Sequence, residues 1–112
     1  MSPEDRIRLQ HMIDAAETGM GFVNGRQRAD LDEDRMLSFA LVRAIEIIGE
    51  AARHVSVATR ASIATVPWEA IVGMRHRVVH AYVHIDHETV WNTVQAELPR
   101  LVAALKHALA EH

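Results

Sequence analysis

Nine consecutive residues, Met74-Arg75-His76-Arg77-Val78-Val79-His80-Ala81-Tyr82, concentrate side chains suited to chemistry on phosphate. Imidazole exchanges protons near neutral pH, and guanidinium is a permanent cation whose planar fork matches phosphate oxygens. Cleaving RNA without a metal needs a base to activate the 2′-hydroxyl and an acid for the leaving oxygen. It also needs positive charge for the phosphorane-like transition state. In that scheme His80 is the base or acid, Arg75 and Arg77 form an electrostatic clamp, and His76 is a second proton carrier. Tyr82 can position RNA by hydrogen bonding or by stacking under a base. The competing reading is structural: a lone helical histidine usually serves packing, and an arginine–histidine run is often a solvated face.

Geometry constrains the scheme. On a regular helix Arg75 and His80 point about 140° apart, and His80 and Tyr82 about 200° apart. The three share a face only if the helix bends or ends near His80, or if two copies of the chain each contribute to one cleft. A rival reading takes His76, His80 and His84, at i, i+4 and i+8 with His87 nearby, as a metal-binding stripe. That stripe requires a helix running past Tyr82, whereas Val83-His84-Ile85-Asp86 reads as a connection. No H-E-x-x-H pair is present to support it.

Helices must position these groups. Ser2-Pro3-Glu4-Asp5 is a helix start, with a capping serine, proline at the first position and acids at the positive end of the dipole. Leu9, Met12, Ile13, Ala16 and Met20 follow at helical spacing, and Gly19, Gly21 and Asn24-Gly25 read as its break. A second start at Asp30-Leu31-Asp32-Glu33-Asp34 leads into Leu37, Leu41, Ala44, Ile48, Ala51 and Val55, which predict one amphipathic helix of roughly six turns. Arg43, Glu46 and Glu50 form a polar strip on that helix, either a solvated outer face or a set of supports for the cationic cluster. Gly49 in the same helix points to close packing by a neighbour. Ser56 to Ala64 holds a short helix or turn, and Pro67-Trp68 restarts a helix. Asp86 caps the last one, built on Val90, Trp91, Val94, Leu98, Leu101, Val102, Leu105 and Leu109, which Pro99 kinks or divides. No segment alternates with period two for long. The fold class read from this pattern is all-α, a bundle of four to five helices forming a single domain over residues 1–112.

Composition narrows the function. At 112 residues, 49% hydrophobic and 24% charged, the chain suits one globular domain with a modest core. A net charge of −3 argues against a general nucleic-acid coat but not against a small cleft with a local basic cluster. With no cysteine, disulfides and thiolate metal sites are excluded. The acidic start lacks a secretory apolar run, and no apolar stretch approaches the ~20 residues of a membrane helix, so a cytoplasmic protein is expected.

Arg75-His76-Arg77-Val78-Val79-His80-Ala81-Tyr82 resembles the R-x-x-x-x-H-x-Y motif of the HepT-like toxins of the HEPN superfamily. The resemblance extends along nearly the whole chain. Arg43-Ala44-Ile45-Glu46-Ile47-Ile48-Gly49-Glu50-Ala51-Ala52 is similar to the family's second long helix, and Pro67-Trp68, Trp91 and Leu98-Pro99 fall in family order. It implies a helical homodimer acting as a metal-independent endoribonuclease, with the motif lining a cleft at the dimer interface and no cofactor. Arg75 and His80 then become the catalytic pair, with His76, Arg77 and Glu50 in supporting or RNA-binding roles. The implied partner is a minimal nucleotidyltransferase antitoxin of a type VII toxin–antitoxin pair, which adds AMP to the motif tyrosine, here Tyr82. Negatively charged AMP beside the cleft would occupy the arginines and repel RNA. The chain departs from the family in one place: His76 stands where asparagine is common, which bears on rate and substrate preference more than on fold. The alternative within the same fold is a non-catalytic binding module that partners a nucleotidyltransferase.

Overall fold

The computed structural model describes residues 1–80 and 84–111. The architecture is all-α. Helix α1 spans Pro3–Phe22, α2 is the single turn Asp30–Glu33, α3 spans Arg35–Arg53 and α4 Val57–Ser62. Helices α5 (Trp68–Val72) and α6 (Met74–Val78) follow, then the two-residue strands β1 (Val79–His80) and β2 (His84–Ile85). Helix α7 (His87–Asn92) passes through a π-helical turn, Thr93–Glu97, into α8 (Leu98–Glu111).

The N-terminus forms as its residues dictate. Ser2 Oγ accepts from the Asp5 backbone N–H at 3.0 Å, and Pro3 opens the helix. Leu9, Met12, Ile13 and Ala16 are buried against α3 and α8, giving the bundle its core. Contrary to the expected break, α1 continues through Gly19 and Gly21 to Phe22. Gly19 is a packing residue: a Cβ there would stand 3.4 Å from Ala44 Cβ on α3. The turn falls instead at Gly25, whose φ of +76° favours glycine.

The long second helix is also divided. Asp34 interrupts it by capping α3, its Oδ1 accepting from Leu37 N–H at 3.0 Å, while Oδ2 accepts from Arg26 at 2.8 Å. Those bonds hold the Asp34 carboxyl below the usual carboxylate range, Arg26 contributing most. From there Leu37, Leu41, Ala44, Ile45, Ile48 and Ala52 bury one face of α3.

At the other end, Pro99 has no N–H, and its ring crowds the carbonyl four residues back. The chain answers with the π-helical turn just before it, where Leu98 N–H reaches the Thr93 carbonyl five residues back. The helical axis is therefore adjusted ahead of the proline, not broken at it.

Asp5 joins the first helix to α4. It is 5% exposed, and its carboxylate accepts from Ser56 Oγ at 2.6 Å, Thr59 Oγ1 at 2.6 Å and Ser56 N–H at 3.1 Å. Hydrogen bonds from Ser56 and Thr59 hold the carboxyl below its ordinary range against the opposing effect of burial. A depressed carboxyl pKa contributes stability that is present above the unfolded value, about 3.9, and is lost as pH falls through the folded value. Asp5→Asn is therefore expected to cost about 2 kcal/mol at pH 7. The difference from the parent should shrink in strongly acidic solution. Urea unfolding of both proteins at neutral and acidic pH checks this, and an equal difference at both would contradict it.

Candidate active site

The site begins with a glycine. A Cβ on Gly49 would lie 3.3 Å from the Val72 carbonyl oxygen and 3.4 Å from that of Ile71, so α5 ends directly on the backbone of α3. Trp68 and Ile71 bury the apolar side of α5, and the Trp68 indole N–H donates to the Arg60 and Ile63 carbonyls at 3.1 Å each. This seating delivers the start of α6 to the polar flank of α3.

There Arg75 Nε donates to Glu46 Oε2 at 2.8 Å. Around the pair opens a cavity of about 540 Å³ lined by Arg43, Arg53 and Arg75 and by Glu46 and Glu50. His76 supplies an imidazole, and Gly49 and Val72 supply its apolar lining. Of the Arg43–Glu46–Glu50 strip, Glu46 bonds the cationic cluster through Arg75, while Arg43 and Glu50 are exposed side chains at the rim of the same cavity. Arg53 joins them, a residue the motif-based reading passed over although it stands in helical phase three residues beyond Glu50.

The cluster does not converge in one place within a chain. Arg77 points away from Arg75, its Nη2 donating to Glu97 Oε1 at 3.2 Å on the π-helical turn. Two positions apart on a helix face nearly opposite directions, which accounts for the split. His80 lies beyond the helix, in β1, and does not line the cavity of Arg75. Its Nε2 stands 4.0 Å from Asp86 Oδ2 and its ring centroid 6.3 Å from that of His84. Asp86 caps α7, and the backbone N–H and hydroxyl of Thr89 hold its carboxyl below the ordinary range, so it faces His80 as an anion. Tyr82 lies outside the described residues.

The histidine stripe is not formed, because α6 ends at Val78 and His80 and His84 oppose each other across the β1–β2 pairing. Among the described residues no group of three histidine or acidic side chains is placed to hold a metal ion. What the arrangement offers is a half-exposed arginine fixed by a carboxylate in an open, net cationic cavity, with an accessible imidazole on the adjoining hairpin. A phosphate can displace or share the Glu46 contact, since guanidinium presents several donors.

The profile of the family described as Ribonuclease HepT-like matches residues 12–108. A protein of Caldanaerobacter subterraneus subsp. tengcongensis named a "Putative RNase" is 34% identical over 104 residues, covering 93% of each chain. Another bearing that name, from Methanocaldococcus jannaschii, is 30% identical over 102 residues, covering 90% of this chain and 94% of its own. A "Probable ribonuclease HepT" of Thermococcus cleftensis is 35% identical over 68 residues, 61% of this chain and 62% of its own. No solved structure matches the chain at a significant level.

Two substitutions separate the scaffold from the pair it carries. Gly49→Val should destabilise by about 1–3 kcal/mol, since the added atoms meet the Val72 and Ile71 carbonyls. Glu46→Gln should cost less than about 1 kcal/mol because the ion pair is partly solvated. Thermal unfolding of both variants checks the ranking, and a Gly49→Val protein as stable as its parent would contradict the seating of α5.

Proposed function

The chain belongs to the HepT-like ribonuclease family, and from that premise we propose that it is a metal-independent endoribonuclease whose working form is a homodimer. The observation that carries this reading is the Glu46–Arg75 pair at 2.8 Å inside a cavity that is open to a polyanion. Arg75 holds the non-bridging oxygens of the scissile phosphate. One imidazole takes the proton from the 2′-hydroxyl as the O2′–P bond forms. A proton is delivered to O5′ as the P–O5′ bond breaks, leaving a 2′,3′-cyclic phosphate and a free 5′-hydroxyl. His80 is the principal proton carrier, with the Asp86 carboxylate 4.0 Å away to favour its charged form, and His76 at the cavity wall is the second. Arg77 and Glu50 support RNA binding, Arg77 from the far side of α6.

The separation of the motif residues within one chain supports the dimer. Arg75 has a cavity without His80, and His80 is half exposed away from it. A second copy related by two-fold symmetry brings another motif to the same cleft. The biological role that fits is the toxin of a toxin–antitoxin pair, held in check by a minimal nucleotidyltransferase that adds AMP to Tyr82. A phosphate added two residues along the chain from His80 would compete for the arginines and repel RNA.

Incubation of the unmodified protein with RNA in EDTA tests the reading. Cleavage should survive the chelator and fall by about a hundredfold or more in folded Arg75→Ala and His80→Ala variants. Intact RNA with the parent protein, together with an unmodified Tyr82 by mass spectrometry, would overturn it in favour of a non-catalytic binding module.

A further inference from the structure

Beside the N-terminal half of α3 lies a second cavity, of about 440 Å³, whose walls include Arg35, Ser38, Phe39, His84 and His87. Phe39 is the unusual member. It is 49% exposed, and the Arg35 guanidinium lies 5.3 Å from its ring centroid. An aromatic ring steadied by a stacked guanidinium and still open to solvent is the arrangement on which unpaired nucleobases stack.

Its position connects it to the site described above. Phe39 and Glu46 are seven residues apart on α3, two helical turns on nearly the same flank and about 10 Å along the axis. The other wall carries His84, whose ring centroid is 6.3 Å from that of His80. The cavity therefore shares a flank of α3 with Glu46, the partner of Arg75, and its His84 lies near His80. A strand of RNA crossing between them would run along α3.

The polar wall is held rigidly. His87 Nδ1 is 2.7 Å from Asp32 Oδ1 and its Nε2 is 3.4 Å from Ser38 Oγ, while Ser38 Oγ donates to the Leu31 carbonyl at 2.8 Å. This serine–histidine–aspartate order is not a nucleophilic triad. Ser38 is 2% exposed, and its only hydroxyl proton is already given to Leu31.

We propose that this cavity is a nucleobase subsite, in which Phe39 stacks a base of the RNA whose scissile phosphate is held at Arg75. The proposal rests on the ribonuclease reading of the same surface. Ring, guanidinium and imidazoles in one cavity favour a base over the apolar face of a second copy, although Met36 nearby is 84% exposed. Stacking is tolerant of base identity, so the subsite sets where the strand lies more than which base is cut.

The test uses the full chain and 2′-O-methylated RNA oligonucleotides, which cannot be cleaved, with single abasic positions moved along the strand. With the parent, one abasic position should weaken binding about tenfold. Phe39→Leu should bind intact RNA about tenfold more weakly and lose that abasic sensitivity, whereas Phe39→Trp should retain both. On cleavable RNA, Phe39→Leu should raise KM with little change in kcat. Unchanged affinity in Phe39→Leu would overturn the proposal. So would weaker binding that tracks a loss of dimer in sedimentation, which would assign Phe39 to contact between copies. Cleavage of RNA by the parent, scored in parallel, separates the two levels. If the parent cuts RNA and Phe39→Leu matches it throughout, the subsite alone falls. If the parent neither binds nor cuts RNA, the ribonuclease reading falls with it.

Discussion

The hydrogen bond from the Asp86 N–H to the Val78 carbonyl, 2.7 Å long, ends α6 and decides the geometry of the cationic cluster. With that carbonyl engaged, Val79 leaves the helix at φ −121°, ψ 123°, a conformation β-branched residues favour. Val79 then pairs with Ile85 and His80 with His84. Arg75 stays on a helix and faces α3, while His80 stands on an extended hairpin whose base is closed by Asp86. The same residue caps α7 through Thr89 and lies against His80, so one aspartate links the hairpin's position, the next helix and the charge facing the imidazole.

Helix α3 is the scaffold for both cavities. Its buried face supplies a large part of the core, and its free flank carries Phe39, Glu46, Glu50 and Arg53 in helical phase. Gly49 lets the α5 backbone approach, which brings Arg75 within reach of Glu46. Without that approach the pair would be a pair of separate surface charges, and such charges contribute little by themselves. The ion pair matters less for stability than for holding one guanidinium where a phosphate can reach it.

Much of this was legible in the residues. Ser2-Pro3, Asp86 and the periodic apolar sets predict α1, α7 and the core face of α3, because caps and amphipathic spacing are local signals. The role of Gly49 was also legible, since an expensive helical glycine calls for a close neighbour. What the pattern could not settle depended on which of several possible partners a residue takes in the folded chain. Asp34 divides the predicted second helix because Arg26 and the Leu37 N–H both bind it. Gly19 reads as a breaker until Ala44 is seen packed against it. The histidine stripe fails where the connecting Val83-His84-Ile85-Asp86 segment predicts it should, since α6 ends at Val78 and His80 pairs with His84. The likeness of the motif region to a known ribonuclease family pointed to Arg75 and His80 together, and the five-residue spacing already set them on different faces of a helix, as the structure leaves them.

In the proposed homodimer the second copy closes that separation, and the cleft that cuts RNA would form where two motifs meet. The most direct measurement follows the cleavage rate per chain, in EDTA, as the protein is diluted through its dimer dissociation, with sedimentation reporting the assembly under the same conditions. The account predicts that activity per chain falls in step with the loss of dimer. Monomers that cleave RNA at an undiminished rate would contradict it.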